Sequence, residues 1–419
     1  MHLMSTQQAS DANEAIRRMA ARTHEASKAF TPSAPVDDLD LFAGRISQVQ
    51  QVMRGIGQKG QHILLYGERG VGKTSLANVL QFFLSRAPGA VKSLVVKVNC
   101  ARDSTPASLW KSALTQINLA MTETGMGFHP PRHVAEVDLS KSVSENVSPE
   151  EIRQILQTIH GNPIFIFDEI DRLTLRKSIS FFSDTIKTLS DNSVNATLLL
   201  VGVADSVGDL IKEHLSIERA LIQVQMPRMS DLELQEIVTK GIKSFQMGIS
   251  QQALISIASI SQGLPHYAHL LALHASIAAI NQDSNEISYE NVKEALVSSV
   301  AQAQQSIKTA YHEAVSSPRG NLFPQVLLAC ALAHIDELGY FTSSAVREPM
   351  ARIMKRAYTI AAFSRHLTDF CKKERGPILQ KTGYRRRFRY RFINPLMEPY
   401  VIMKGISEGL IEEELWDFK

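Results

Sequence analysis

Apolar positions along this chain change their period twice, and the changes divide it. Between Ile63 and Val203, short continuous apolar runs (ILLY, SLVVKVNC, NPIFIF, ATLLLVGVA) alternate with segments whose apolar residues recur every three or four positions (SLANVLQFFL, SLWKSALTQINLAM, EEIRQILQTIH, SFFSDTIKTLSD). Runs of that kind suit strands buried on both faces, and the helical segments supply the crossovers. The pattern predicts an α/β fold, a parallel sheet with helices on both sides. Beyond Met229 the strand runs stop. Ser230 followed three residues later by Glu233 is a capping-box signature, and it opens a series of helical patterns from SDLELQEIVTKGIKSF to SYENVKEALVSSVAQAQQSIKTAYHEAV. After SSPRGN come three more helical patterns and then RGPILQKTGYRRRFRYRFINP, which reads as strand, turn, strand. The first residues are polar, carry a short helical pattern and end in the proline-bearing TPSAPV. The expected division is therefore an arm over 1–35, an α/β core over 36–228, a helical lid over 229–316 and a third unit over 317–419. A polar stretch from Thr122 to Val147 reads as an exposed insertion, and no internal repeat or low-complexity segment interrupts the chain.

Composition changes this picture little. With 44% hydrophobic and 21% charged residues over 419 positions, the chain can fill two or three cores. Its longest apolar runs are too short to span a bilayer and the first residues lack a signal-like apolar segment, so the expected location is the cytoplasm. Cys100, Cys330 and Cys371 are widely spaced, which fits core filling better than a disulfide framework or a zinc site. The net charge of +3 is unevenly placed: the segment from Ser317 onward carries +6 and the rest −3.

The first chemistry appears where strand gives way to helix in ILLYGERGVGKTSL. Gly67, Gly72, Lys73 and Thr74 stand at the spacing G-x-x-x-x-G-K-T, with Glu68, Arg69, Gly70 and Val71 between them and Ser75 after. Glycines let successive backbone N–H groups turn toward phosphate oxygens, and the following helix adds its positive end. Lys73 would reach the β- and γ-phosphates of ATP, and the Thr74 hydroxyl would join the shell of a Mg²⁺ ion. Downstream, Asp168 and Glu169 end the apolar run IFIF, with Asp171 close behind. At a strand end in the same sheet, Asp168 is the candidate for the metal and Glu169 for the attacking water. Asp171 reads equally as a helix N-terminal charge.

Three helices and a β-hairpin match a winged helix, and its hairpin is strongly basic. Strand alternation would put Arg385, Arg387, Arg389 and Arg391 on one face and Arg386, Phe388, Tyr390 and Phe392 on the other. Such a row suits phosphates or a minor groove of double-stranded DNA, while Arg365, His366, Lys372 and Lys373 belong to a candidate recognition helix. The alternative is a solvated wing or a surface for a protein partner. Of His129, His133, His160, His266, His269 and His274, the last three spread over one amphipathic helix without acidic partners at ligand spacing, and no metal site is expected of the set.

Together these features resemble the AAA+ ATPases, and within them the origin-recognition and replication-initiator branch with a C-terminal winged helix; the resemblance runs from about Leu41 onward. GERGVGKT and FDEID look like that family's phosphate-loop and acidic motifs. LFAGR resembles the box that helps hold adenine, which implies roles for Gly44 and Arg45. LLLVGVADS falls where the family carries its first sensor, so Asp205 or Ser206 would touch the γ-phosphate, in place of the usual Asn. HLSIERALIQV resembles the segment that lends an arginine finger to a neighbouring copy, which implies Arg219 and a homo-oligomer. In SQGLPHYAH the second sensor's arginine is replaced by His266, and Gly263-Leu264-Pro265 is similar to the G-x-P turn of STAND-class signalling ATPases. The resemblance thus implies an ATP- and Mg²⁺-dependent ATPase, one whose turnover can be slow, acting as a switch that engages DNA. The alternative is a STAND-like scaffold, for instance in a defence operon, whose winged helix binds an operon-encoded protein.

Overall fold

The computed structural model describes residues 2–35, 41–86, 94–123, 138–174, 176–203, 215–317, 321–384 and 387–411. Five strands form one parallel sheet: β1 (His62–Gly67), β2 (Val95–Asn99), β3 (Ile164–Asp168), β4 (Thr197–Val203) and β5 (Leu221–Met226), in the order β2-β3-β4-β1-β5. The pleat explains why these runs are continuously apolar. Ile63, Leu65, Ile166, Leu199 and Val201 enter the core on one face. Leu64, Phe165, Phe167, Leu198 and Leu200 enter a second core on the other, where Trp110 packs against Phe165 and Phe167. This is the parallel α/β arrangement that the alternating pattern predicts. Its register puts Gly67 opposite both Val203 and Met226, and Asp168 opposite Asn99, so the carboxyl ends of the strands lie side by side.

The first core runs on without a break into the rest of the molecule. Helix α1 (His2–Ala29) is far longer than the short helical pattern of the arm suggests. It packs on the lid helices α7 (Asp231–Ser244) and α9 (Pro265–Asn281), with Ala26, Ala29 and Phe30 buried. Gly241 makes this possible, because a Cβ there would overlap the Phe30 ring. Arg22 adds hydrogen bonds to the Ser284 carbonyl (2.7 Å) and to Asn285 Oδ1 (2.9 Å). The arm is thus a docked part of the lid, held by contacts from residues distant in sequence. At the start of α7 the capping box forms as expected: the Ser230 side chain accepts from Glu233 N, and the Glu233 carboxylate accepts from Ser230 N.

The third unit places α12 (Phe323–Ala331), α13 (Arg347–Ile353) and α14 (Ile360–Asp369) against an antiparallel sheet ordered β8-β10-β9. Strand β8 (Phe341–Thr342) and hairpin strands β9 (Leu379–Thr382) and β10 (Arg389–Phe392) are short, and α15 (Met397–Ser407) returns to pack on α12. Among the described residues no helix is long and apolar enough to cross a membrane.

A buried ion network joins this unit to the core. Arg228, at the end of the chain segment leaving β5, sets Nε 2.6 Å from Glu68 Oε2 and Nη2 2.9 Å from Glu398 Oε2. It also donates to the Gln262 carbonyl at 3.2 Å. Glu68 belongs to the phosphate loop and Glu398 to α15. Burial opposes the charge on Arg228, but Glu398 and Glu68 more than offset it and hold the guanidinium pKa above its ordinary value. Removing one partner of such a network strands buried charge. Arg228→Ala is expected to cost about 3–5 kcal/mol in urea unfolding. Adding Glu68→Gln and Glu398→Gln to that variant should recover most of the loss; equal instability in the single and triple variants would show that charge is not the cause.

Candidate nucleotide site

The loop between β1 and α3 (Lys73–Arg86) is built by its glycines, for two different reasons. Gly70 (φ 89°) and Gly72 (φ 93°) take the left-handed backbone that a side chain disfavours. Gly67 is required by packing instead, since a Cβ there would collide with the Met226 carbonyl of β5. Lys73 Nζ donates to the carbonyls of Gly67 (3.1 Å) and Glu68 (2.7 Å), so its ammonium lies within the loop's own curve. Burial pulls its pKa down to about 8, against the opposing pull of Asp171, Asp168 and Glu68.

At the end of β3, Asp168 is buried and both its oxygens are engaged. Oδ1 accepts from Glu169 N (2.8 Å), and Oδ2 lies 2.9 Å from Lys97 Nζ. Glu169 sits in the left-handed region (φ 59°, ψ 40°), a strained setting for a residue with a Cβ, and its carboxylate meets Arg172 at 2.9 Å on the surface. Asp171 Oδ1 accepts from Val203 N (3.2 Å) and so fastens the end of β4 to this turn.

These groups open onto one cleft of about 790 Å³. Its floor is Glu68 to Gly70, Gly72 to Ser75, and the acids Asp168, Glu169 and Asp171. The lid contributes Pro265, His266 and His269, and the arm contributes Thr31 to Pro35. Pro265 starts α9, where its missing N–H costs nothing. His266 Nδ1 meets the Pro32 carbonyl at 2.7 Å, and His269 Nδ1 accepts from Thr31 N at 3.3 Å. Burial lowers the pKa of both, that of His269 to about 4, so they serve as neutral hydrogen-bonding groups. Among the described residues no group of three or more His, Cys, Asp or Glu could hold a metal ion.

The remaining candidates separate. Gly44 and Arg45 do not line the cleft. Arg45 is buried behind the loop, where its guanidinium donates to the carbonyls of Val71 (3.0 Å) and Pro227 (2.7 Å), while the backbone N–H groups of Gly44 and Arg45 donate to Glu236 and Glu233 of the lid. The pair thus clamps phosphate loop to lid. Arg219 is exposed on a turn before β5, away from its own chain's cleft, and its carbonyl accepts from Gln61. Asp205, Ser206, Arg385 and Arg386 lie outside the described residues, as do His129 and His133.

Among the described residues, the predicted arginine row does not form one open face. Strand β10 begins only at Arg389, which pairs with Asp336 at 3.0 Å. Arg391 donates to Gln380 Oε1 (2.8 Å), stands 4.7 Å from the Tyr340 ring centre and lines the nucleotide cleft with Phe392, Ile393 and Pro395. Alternation holds: Tyr390 and Phe392 are buried, while on the other face Arg389 is exposed and Arg391 is half-buried at the cleft. Arg387, Arg365, Lys372 and Lys373 remain exposed, with Arg365 and Lys372 near Asp369. Sequence reasoning missed Lys97, Arg228, Arg391 and Glu398 as parts of this region; only Arg391 carried a signal, and it pointed to another role.

The donor set suits a nucleoside triphosphate with Mg²⁺: a cation inside a glycine-built loop, a hydroxyl at Thr74 and a carboxylate at Asp168. Comparison with protein-family models matches residues 56–210 to the AAA domain. Comparison with curated proteins finds no match. Among solved structures, the Walker-type ATPase PABY2304 of Pyrococcus abyssi superposes with a TM-score of 0.50 at 14% identity, over 88% of this chain and 98% of that one. The Orc1 protein of Aeropyrum pernix in complex with DNA gives 0.43 at 15% identity, over 88% and 94%. Cdc6p from Pyrobaculum aerophilum gives 0.43 at 16%, over 92% and 98%. At 14% identity the likeness to PABY2304 is one of fold alone.

A bound phosphate favours the protonated form of Lys73. The free protein loses that proton above about pH 8, so nucleotide affinity should be flat below that pH and fall by up to ~10-fold per unit above it. Titration of a fluorescent ATP analogue from about pH 6.5 to about pH 9.5 brackets that range and checks this; a flat profile would mean Lys73 does not meet phosphate.

Proposed function

We propose that this AAA+ chain is an ATP-dependent switch that binds and slowly hydrolyses ATP in the cleft between sheet and lid. One observation carries the reading. The phosphate loop, the acids of β3, the first turn of α9 and the segment Arg391 to Pro395 of the winged helix converge on a single cavity. A nucleotide there would be sensed by all three units at once. Gly70, Gly72, Lys73 and Ser75 would hold the phosphates, and Thr74 with Asp168 would hold Mg²⁺, which neutralises charge on the transferring phosphate. Glu169 would orient the attacking water and accept its proton. Its ion pair with Arg172 is about half exposed on each side and screened by water, so it is readily released. Pro265 and His266 would meet the nucleotide from the lid, and Arg219 would reach the γ-phosphate of a neighbouring copy. Asp205 or Ser206 would act as the polar sensor beyond β4.

The winged helix would contact duplex DNA through Arg365, Lys372, Lys373 and Arg387, with Arg389 joining once released from Asp336 and Arg391 reaching it only after the unit leaves the core. A protein partner is the second reading. It is favoured by the acids beside the basic groups, Asp369 and Asp336, which dilute the positive surface.

Glu169→Gln should lower the hydrolysis rate by roughly 10²–10⁴-fold with ATP affinity retained; an unchanged rate in single turnover would remove Glu169 from the chemistry. Duplex binding should weaken steeply with salt. The variant with Ala at Arg365, Lys372, Lys373 and Arg387 should lose about 0.9 from the salt slope per contact removed. Absence of binding at low salt, with and without ATP, would exclude the DNA role and leave the protein-partner reading.

A further inference from the structure

The cation beside Asp168 is not part of the phosphate loop. Lys97 stands in the middle of β2, one strand over from β3, and its side chain is 12% exposed. Its ammonium is held twice, 2.9 Å from Asp168 Oδ2 and 2.6 Å from Asn78 Oδ1. Asn78 lies on α3 one helical turn beyond Thr74, so Lys97 bridges the two elements that would flank a metal. The strand is pinned here as well, since Gln116 Nε2 donates to the Lys97 carbonyl at 3.0 Å.

We infer that Lys97 is a positioning residue of the nucleotide site, holding Asp168 and supplying part of the positive charge that a divalent cation would otherwise bring. The inference rests on the nucleotide reading proposed for this cleft. Asp168 points one oxygen at the backbone of Glu169 and the other at Lys97, so its charge is already compensated without metal. Without Lys97, a metal-free polyphosphate beside Lys73 would face the uncompensated charges of Asp168 and Asp171. With it, the floor accepts an anion unaided, and a Mg²⁺ ion must share Asp168 with a resident ammonium. The site should therefore bind nucleotide with weak dependence on Mg²⁺.

The test is the affinity of a fluorescent ADP analogue, measured by direct binding in excess chelator and in saturating Mg²⁺. For the wild-type chain the two values should differ by less than about threefold. For Lys97→Met, chelator should weaken binding by more than about tenfold relative to Mg²⁺, while Lys97→Arg should behave as wild type. Thermal melting checks that each variant folds. If Lys97→Met does not fold, the wild-type titration decides alone. A strong Mg²⁺ dependence in the wild type, or the same dependence in the Met variant, overturns the role of Lys97. Failure of the wild type to bind nucleotide under either condition would instead remove the nucleotide reading itself.

Discussion

The guanidinium of Arg228 is the constraint on which the relation between the three units depends. It lies where the chain leaves the sheet for the lid, and it holds one carboxylate from the phosphate loop and another from the last helix. Two carboxylates and one cation away from water leave an excess negative charge, so the arrangement is a poor source of stability compared with apolar packing. What it provides is geometry. Glu68 cannot shift while Arg228 holds it, and Glu398 cannot leave without stranding charge. The Tyr267 hydroxyl, 2.6 Å from the Leu396 carbonyl, ties lid to third unit beside it. The conformation of the loop and the seating of the third unit are therefore coupled through this one guanidinium.

Within the cleft the charges are set out in opposed pairs. Lys73 is folded back onto carbonyls of its own loop and has a depressed pKa, so it carries a charge that burial disfavours and a phosphate would relieve. Asp168 is matched by Lys97, whereas Glu169 is matched only at the surface by Arg172. The two adjacent acids thus differ in freedom: one is locked into the floor and the other can turn toward solvent. Their separation follows from the left-handed backbone at Glu169, which sends neighbouring side chains in different directions.

Much of this arrangement is legible in the order of residues alone. The phosphate loop, the acids at the end of β3 and the parallel sheet follow from local rules: glycine at fixed spacing, continuous apolar runs, and helix periodicity between them. The capping box at Ser230 and the inward turn of Tyr390 and Phe392 are equally local. Lys97, by contrast, carries no signal in VVKVN, because nothing nearby in sequence announces that β2 will pair with β3. Arg45 resembles an adenine contact, yet its depth behind Val71 depends on the lid folding back over the loop. The arm carries only a short helical pattern, and its length as a helix depends on Phe30 finding the gap at Gly241.

The sequence by itself determined the chemistry on offer, a phosphate cradle with acids in the same sheet, because those features are encoded over a few consecutive residues whose backbone geometry is dictated by residue type. Only the tertiary structure decided which charges meet. Period-two alternation could place Arg389 and Arg391 on one face of a strand but could not say that Asp336 and the nucleotide cleft lie opposite them. Nor could it join Glu68, Arg228 and Glu398. The pairing of charges depends on distances through space, and those are set by how the units pack rather than by the order of residues along the chain.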